Sequence, residues 1–272
     1  MTAQLLDKYC VIGNPIAHSK SPEIHAVYAA QTGQDLVYER CLAPEDGFEA
    51  TVQRLVAEGY RGANVTLPFK LEAARVATCL EERARAAGAV NTLVFAHGEI
   101  IGDNTDGAGL VADITRNAGV AIENKRVLLL GAGGAARGAL LPILHERPRE
   151  IVIANRTVAT AEALARDFGG HGVSLGGVGF AQVEGSFDIV INASSSSLAG
   201  DLPPVPDSIF APGALALDMM YGGETVFMRF AARHGAVARD GLGMLVEQAA
   251  EAFALWRGVR PDTADVFKKL RP

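Results

Sequence analysis

Arg126-Val127-Leu128-Leu129-Leu130-Gly131-Ala132-Gly133-Gly134-Ala135-Ala136 is the stretch that decides the fold. The apolar run ending at Leu130 is short and closed by glycine, so it reads as a buried strand. The helical pattern after it extends to about His145. In the resulting G-x-G-x-x-A arrangement, Gly131 permits a tight turn. Gly133 lets a pyrophosphate approach the backbone, and Ala136 keeps helix and strand close. The helix N-terminus then faces the phosphates with its unpaired N–H groups. Such a glycine pattern is weak in isolation; the strand before it and the helix after it give it weight.

The next strand, Ile151–Ala154, refines the reading. An NAD enzyme usually places Asp or Glu at its end to hold the ribose 2′-hydroxyl. This chain has Asn155-Arg156-Thr157 there. A carboxylate would repel a 2′-phosphate, whereas Arg156 and the Thr157 hydroxyl would welcome it, which points to NADP. Further strands are expected at Phe187–Ile191 and Leu215–Asp218, with helices between most of them. That alternation predicts a parallel sheet covered by helices. The glycine-rich segment 169–179 lacks the strand-loop-helix context and reads as a surface loop.

Toward the N-terminus the same alternation recurs. Strands are predicted at Tyr9–Ile12, Leu36–Arg40 and Arg61–Val65, and helices from Ser21-Pro22, over Glu45–Glu58 and from Pro68. Ser21 is expected to be the N-cap and Pro22 the first helical residue. Thr92–Phe95 and Glu99–Ile101 read as a hairpin. Leu242–Arg257 and Pro261–Leu270 are helical patterns.

Composition narrows the function classes. The chain has 272 residues, enough for two domains. Its 49% hydrophobic and 21% charged content is that of a globular protein. A net charge of −6 gives no general attraction to nucleic acid or anionic membranes. Any anionic ligand must be held locally. Cys10, Cys41 and Cys79 form no CxxC pair and read as free thiols in a reducing compartment. Met1–Lys8 has no apolar signal core, and no run of about 18 apolar residues occurs. The expectation is a cytoplasmic protein with a small-molecule substrate, acting as monomer or homodimer, with no nucleic-acid or membrane partner. No HExxH or similar metal spacing, GxSxG elbow or P-loop is present, so no metal is expected.

Polar residues cluster where helices start and strands end, the places at which open α/β sheets build their sites. They lie in His18-Ser19-Lys20-Ser21-Pro22, Asn64-Val65-Thr66-Leu67-Pro68-Phe69-Lys70, Gly88-Ala89-Val90-Asn91-Thr92 and Gly102-Asp103-Asn104-Thr105-Asp106-Gly107. Taken singly, most have a bland explanation: Ser21 a cap, Asn64 and Asn91 loop satisfiers, Asp106 a turn residue, Gln248 a satisfied core polar group. Lys70 is harder to dismiss. It sits in the expected first turn of a helix, where the dipole disfavours a cation.

In this order, the four groups resemble the shikimate dehydrogenase family. The resemblance continues through Gly131–Ala136, Asn155-Arg156-Thr157, Asn192-Ala193-Ser194-Ser195 and the run from Asp240 to Gln248. It implies NADP-dependent interconversion of 3-dehydroshikimate and shikimate, in the route to chorismate and the aromatic amino acids. It implies that Ser19 and Ser21 bind the substrate carboxylate. Asn64, Thr66, Asn91, Asp106 and Gln248 would hold the ring hydroxyls, with Tyr221 nearby, and Lys70 and Asp106 would be the catalytic pair. Gly131, Ala132, Gly133, Gly134, Ala135, Asn155, Arg156, Thr157, Met219 and Gly241 would line the cofactor, with Glu82 as a weaker position. The chemistry agrees: discriminating among polyols needs many placed donors and acceptors, and hydride transfer needs one acid/base for the hydroxyl proton.

The expected architecture is therefore α/β and two-domain: a substrate domain at 1–106, a Rossmann-type domain at 107–241, and helices at 242–272 returning to the first, with the site in the cleft. Two departures from the family stand out. Ala159-Thr160-Ala161 replaces a second basic residue that many NADP-using relatives carry, which weakens the expected preference over NAD. Val226 follows Thr225 where relatives often have proline, which leaves that loop's shape open. The other readings are a quinate/shikimate dehydrogenase of broader substrate and cofactor use, and a non-catalytic nucleotide-binding protein on the same fold.

Overall fold

The structure is a computed structural model that describes residues 6–271. Met1–Leu5 of the segment read above for a signal core thus lie outside the described residues. The chain divides into two compact units, 1–109 with 246–272, and 110–245.

The first unit starts with β1 (Asp7–Gly13), α1 (Ser21–Thr32), β2 (Leu36–Leu42), α2 (Phe48–Ala57) and β3 (Tyr60–Val65). Then come α3 (Lys70–Val76), β4 (Cys79–Leu80), α4 (Glu82–Ala87), β5 (Thr92–Ala96), β6 (Glu99–Asp103) and α5 (Asp106–Ala112), whose last residues pass into the second unit. Its six-stranded sheet runs β2-β1-β3-β5-β6-β4. The pairs β1/β2 and β1/β3 are parallel, while β5 is antiparallel to both β3 and β6. The predicted hairpin is β5–β6, and its turn residues His97 and Gly98 both have positive φ (54° and 79°). That is the two-residue geometry that matches strand twist. Val52, Leu55, Val65, Phe69 and Leu93 pack on one face of the sheet as a buried cluster.

The second unit holds β7 (Arg126–Leu130), α6 (Gly134–His145), β8 (Glu150–Asn155), α7 (Val158–Asp167), β9 (Ser174–Gly179) and β10 (Phe187–Asn192). It continues with α8 (Ser196–Ala199), β11 (Phe210–Asp218), α9 (Val226–Arg233) and β12 (Val237–Arg239). Every pairing is parallel, in the order β12-β11-β10-β7-β8-β9. Read from β9, this is the strand order 3-2-1-4-5-6 of a doubly wound dinucleotide fold, and it reverses at β7/β10. The chain ends in α10 (Leu242–Arg257) and α11 (Ala264–Leu270). Tyr28 of α1 donates its hydroxyl proton to the Val246 carbonyl at 3.0 Å, tying α10 to the first unit.

Two expectations are corrected. Residues 174–179 are not loop but the edge strand β9. A side chain at Gly177 would collide with the backbone of Ala161 and Glu162, so glycine there lets α7 lie directly on the strand. The helix start at Ser21 is displaced by one residue. Lys20 is the N-cap and Ser21 is already helical. The Ser19 hydroxyl accepts from the Ser21 N–H at 3.3 Å, the satisfaction the cap would have supplied. No helix among the described residues is long and apolar enough to cross a membrane.

Candidate active site

In the first unit the polar residues converge at the C-terminal ends of β3 and β6 and the starts of α3 and α5. Lys70 lies in the first turn of α3 as expected, although the helix starts at Lys70 itself and not at Pro68, and Asp106 is the first residue of α5. Lys70 Nζ lies 2.6 Å from Asp106 Oδ2. The two side chains are 30% and 21% exposed, open enough to meet a substrate and sheltered enough to stay ordered. Asn91 Nδ2 donates to the other Asp106 oxygen at 2.9 Å. The Asp106 carboxylate is thereby oriented on both sides.

Asn91 is the hub of this cluster. Its Oδ1 accepts from the Thr105 N–H at 2.8 Å. Its Nδ2 faces Thr105 Oγ1 at 2.9 Å and Gln248 Oε1 at 3.3 Å as well as Asp106. An amide has two hydrogens, so these three acceptors compete, and the longest, Gln248, is held least. Gln248 reaches the cluster from α10, although it lies 157 residues from Asn91 in sequence. Asn64 Nδ2 donates to Thr92 Oγ1 at 3.1 Å and to the Asn91 carbonyl at 3.3 Å. Thus the bland role for Asn64 and Asn91, satisfying local polar groups, is real and coexists with a place in the site.

Thr66 is partly exposed beside Gly13, where an added side chain would press on its methyl group. Ser21 is buried and Ser19 half-buried. The guanidinium of Arg40 donates to the Ser19 carbonyl at 2.6 and 3.1 Å and so holds the serine segment on β2. Glu82 opens α4 and is exposed. Thr92 and Thr105 fall within the polar groups read from the sequence but are given no role there, and Arg40 and Tyr38 escape that reading altogether. A strand arginine or tyrosine looks like any other strand residue, and only the tertiary contacts distinguish these two.

In the second unit, Gly131 follows β7 with φ 105°, and a side chain there would also sit about 3.0 Å from the Ser194 amide. Glycine is therefore required twice, by backbone and by space. Gly133 and Gly134 face open space, with no atom within 4 Å of an added side chain. Gly133, Gly134 and Ala135 are exposed, while Ala136 is fully buried against the sheet. The N-terminus of α6 thus presents its first N–H groups beside open space, with no acidic residue in its first turn. This fits a pyrophosphate. Asn155 Nδ2 donates to the Thr157 carbonyl at 3.0 Å, shaping the turn after β8. Thr157 is the N-cap of α7, yet its hydroxyl makes no capping bond. Arg156 is exposed.

The loop after β11 is built on Asp218, which is fully buried. It accepts from Ser197 Oγ at 2.6 Å, Thr225 Oγ1 at 2.7 Å and the Met220 N–H at 3.1 Å. Thr225 also caps α9, accepting from the Met228 N–H at 3.2 Å. The turn at Val226 is therefore held without proline. Met219 is partly buried, and Gly241 packs so closely on its carbonyl that no side chain fits there. Tyr221 is 43% exposed in this same loop. Among the described residues no group of three or more His, Cys, Asp or Glu could hold a metal.

A doubly wound parallel sheet with an open glycine turn at its reversal point, joined in one chain to an α/β unit carrying a lysine–carboxylate pair, defines a dinucleotide-dependent oxidoreductase of the two-unit α/β class. Comparison with known proteins narrows this. The shikimate dehydrogenase substrate binding domain matches residues 11–93, the shikimate/quinate 5-dehydrogenase model residues 113–199, and the shikimate 5′-dehydrogenase C-terminal domain residues 241–271. The chain is 63% identical to the shikimate dehydrogenase (NADP(+)) of Herminiimonas arsenicoxydans, over 98% of each chain. The solved Ael1 enzyme of Pseudomonas putida superposes with a TM-score of 0.92 at 50% identity, covering 97% of this chain and 98% of that one. The shikimate 5-dehydrogenase of Thermus thermophilus, solved with NADP(H) and shikimate, gives 0.83 at 29% identity, over 98% and 99%. The chain belongs to the shikimate dehydrogenase family.

Proposed function

We propose that this protein is an NADP-dependent shikimate dehydrogenase that reversibly reduces 3-dehydroshikimate to shikimate. The observation that carries the reading is the 2.6 Å contact between Lys70 and Asp106 inside a cluster of Asn64, Asn91, Thr105 and Gln248. NADPH supplies the hydride for the C3 carbonyl when it is bound. Lys70 then donates the proton that the nascent alkoxide needs, and takes it back in the oxidative direction. Asp106 aims the ammonium and accepts from the reacting hydroxyl. Ser19 and Ser21 hold the carboxylate. Asn64, Thr66, Asn91 and Gln248 hold the ring hydroxyls, with Tyr221 as a further substrate contact. A substrate lacking one hydroxyl leaves a buried partner unpaired, which is how such a site discriminates.

On the cofactor side, Gly131, Ala132, Gly133, Gly134 and Ala135 cradle the pyrophosphate. Asn155, Arg156 and Thr157 receive the 2′-phosphate, and Met219, Gly241 and Glu82 complete the lining. Residues 1–106 act as the substrate domain with the returning segment 242–272, and 107–241 as the cofactor domain. Three free cysteines suit a cytoplasmic enzyme.

The test is nicotinamide reduction with shikimate or quinate and with NADP⁺ or NAD⁺. Fast turnover with shikimate and NADP⁺ alone supports the reading. Equal turnover with quinate or NAD⁺ replaces it with the broader quinate/shikimate activity; the missing basic residue at Ala159-Thr160-Ala161 bears on the cofactor choice alone. No turnover with any pair leaves a nucleotide-binding protein without catalysis.

A further inference from the structure

Tyr38 lies on β2, outside every residue group assigned above, yet its hydroxyl donates to Asn64 Oδ1 at 2.7 Å. Asn64 is only 6% exposed, and both of its amide hydrogens are committed, to Thr92 Oγ1 and the Asn91 carbonyl. Its carbonyl oxygen has two lone pairs, and Tyr38 takes one of them. The second lone pair completes no hydrogen bond among the described residues, since the nearby His25 ring forms none with it. The Tyr38 ring is itself fixed. His25 stacks on it at 4.1 Å between centroids and 6° between planes, and Trp256 tilts against it at 6.2 Å. Burial also pushes the Tyr38 phenol well above its ordinary pKa, so it stays a donor across the working pH range. The side chain of Ser21 lies close to the same phenol.

We propose that Tyr38 is a positioning residue for the substrate. Its hydroxyl fixes the Asn64 amide so that a single lone pair is offered, and a substrate hydroxyl must donate to it. The inference rests on the assignment of Asn64 to the ring hydroxyls. It adds a direction to that contact, with substrate donating and Asn64 accepting. It also gives the aromatic stack of His25 and Tyr38 a role that ordinary core packing does not require. A buried hydrogen-bonded chain of this kind is rigid when every member is satisfied.

Removing the phenolic proton leaves Asn64 Oδ1 with a vacant lone pair in a nearly closed environment, and the amide then turns to recover a partner. In the Tyr38→Phe enzyme the ring and its stack on His25 persist. The expected result is a KM for shikimate raised about 5- to 50-fold. The kcat should stay within about threefold, the KM for NADP⁺ should be unchanged, and Tm should be near that of the parent. Asn64→Ala should raise the shikimate KM at least as much. Adding Tyr38→Phe to Asn64→Ala should then cause no further rise, because the second group acts only through the first. Four enzymes are compared: parent, the two single variants and the double. If Asn64→Ala raises KM and Tyr38→Phe does not, or if the two effects multiply, the positioning role is overturned and the Asn64 assignment stands. If Asn64→Ala leaves the shikimate KM unchanged, the assignment itself falls and the inference with it. A loss in Tyr38→Phe shared equally by kcat and the NADP⁺ KM, with a lowered Tm, overturns it as a merely structural effect.

Discussion

Lys70 Nζ and Asp106 Oδ2 stand 2.6 Å apart although 36 residues separate them in sequence. Each is the first residue of its own short helix, so two chain entries into helix fix one charged pair. In the proposed mechanism, replacing Lys70 by alanine removes the proton donor but none of the amides assigned to the ring hydroxyls. The kcat should fall about 10²- to 10⁴-fold while the substrate KM changes much less. Steady-state kinetics of the variant decide it, and near-normal turnover would sink the role.

Arg156 is exposed just past the end of β8, beside the uncapped hydroxyl of Thr157. Arg156→Ala should weaken NADP⁺ binding by about tenfold or more while NAD⁺ is nearly unaffected, since a hydrogen bond to a charged group is worth about 1.5–3 kcal/mol. Titration with both nucleotides gives the answer. Equal losses would mean that Arg156 does not touch the 2′-phosphate.

Gly131 and Gly133 occupy one loop and should respond to alanine in opposite ways. At Gly131 the φ of 105° and the nearby Ser194 amide make alanine strained. Its Tm should drop, by a stability cost of about 1–3 kcal/mol. At Gly133 the backbone (φ −86°, ψ −169°) accepts alanine and the space is open, so Tm should hold. The added methyl would instead stand in the proposed pyrophosphate cradle, and NADP⁺ affinity should fall. Thermal melts with and without nucleotide separate the two outcomes.

His25 makes stability depend on pH. Burial lowers its pKa from 6.5 to about 3, against a weaker opposing pull from the nearby Asn64 amide. The two side chains form no hydrogen bond, and neither ring nitrogen of His25 has a partner. Between those pKa values the unfolded chain binds a proton that the folded chain refuses. Stability is thus full above about pH 6.5 and is lost as pH falls toward 3, by about 1.4 kcal/mol per pH unit. Denaturant unfolding at about pH 7.5 and about pH 5.5 should show a drop that His25→Phe, which can keep the stack on Tyr38, reduces. Equal drops in parent and variant would remove His25 as the cause.

The strand-loop-helix at Leu130–Ala136 is legible in the sequence because three requirements meet in one short stretch: a buried run, a turn needing positive φ, and a helix that must sit close. The hairpin, α10 and the place of Lys70 are legible for similar local reasons. Helix and strand ends move by a few residues, as at Ser21, where the Ser19 hydroxyl satisfies the helix start. β9 escapes because glycine speaks for a loop until α7 is seen lying on Gly177. β4 and β12 hold only two and three residues, too few for any period to show. Tyr38 and Arg40 cannot be found from sequence at all, since each acts through a contact with a residue distant along the chain, 26 and 21 positions away.

The first unit is written in two pieces, 1–109 and 246–272, with the whole second unit between them. During synthesis the parallel sheet of 110–245 is complete while α10 is still emerging. The earlier unit cannot finish until Gln248 and the residues after it leave the ribosome. Its closing contacts are among the longest in the chain, such as Arg257 with Asp7, 250 residues apart. Late closure of so wide a loop favours slow final assembly. A nascent chain stopped after Leu245 would therefore carry all of the second unit while the first still waits for most of α10 and for α11.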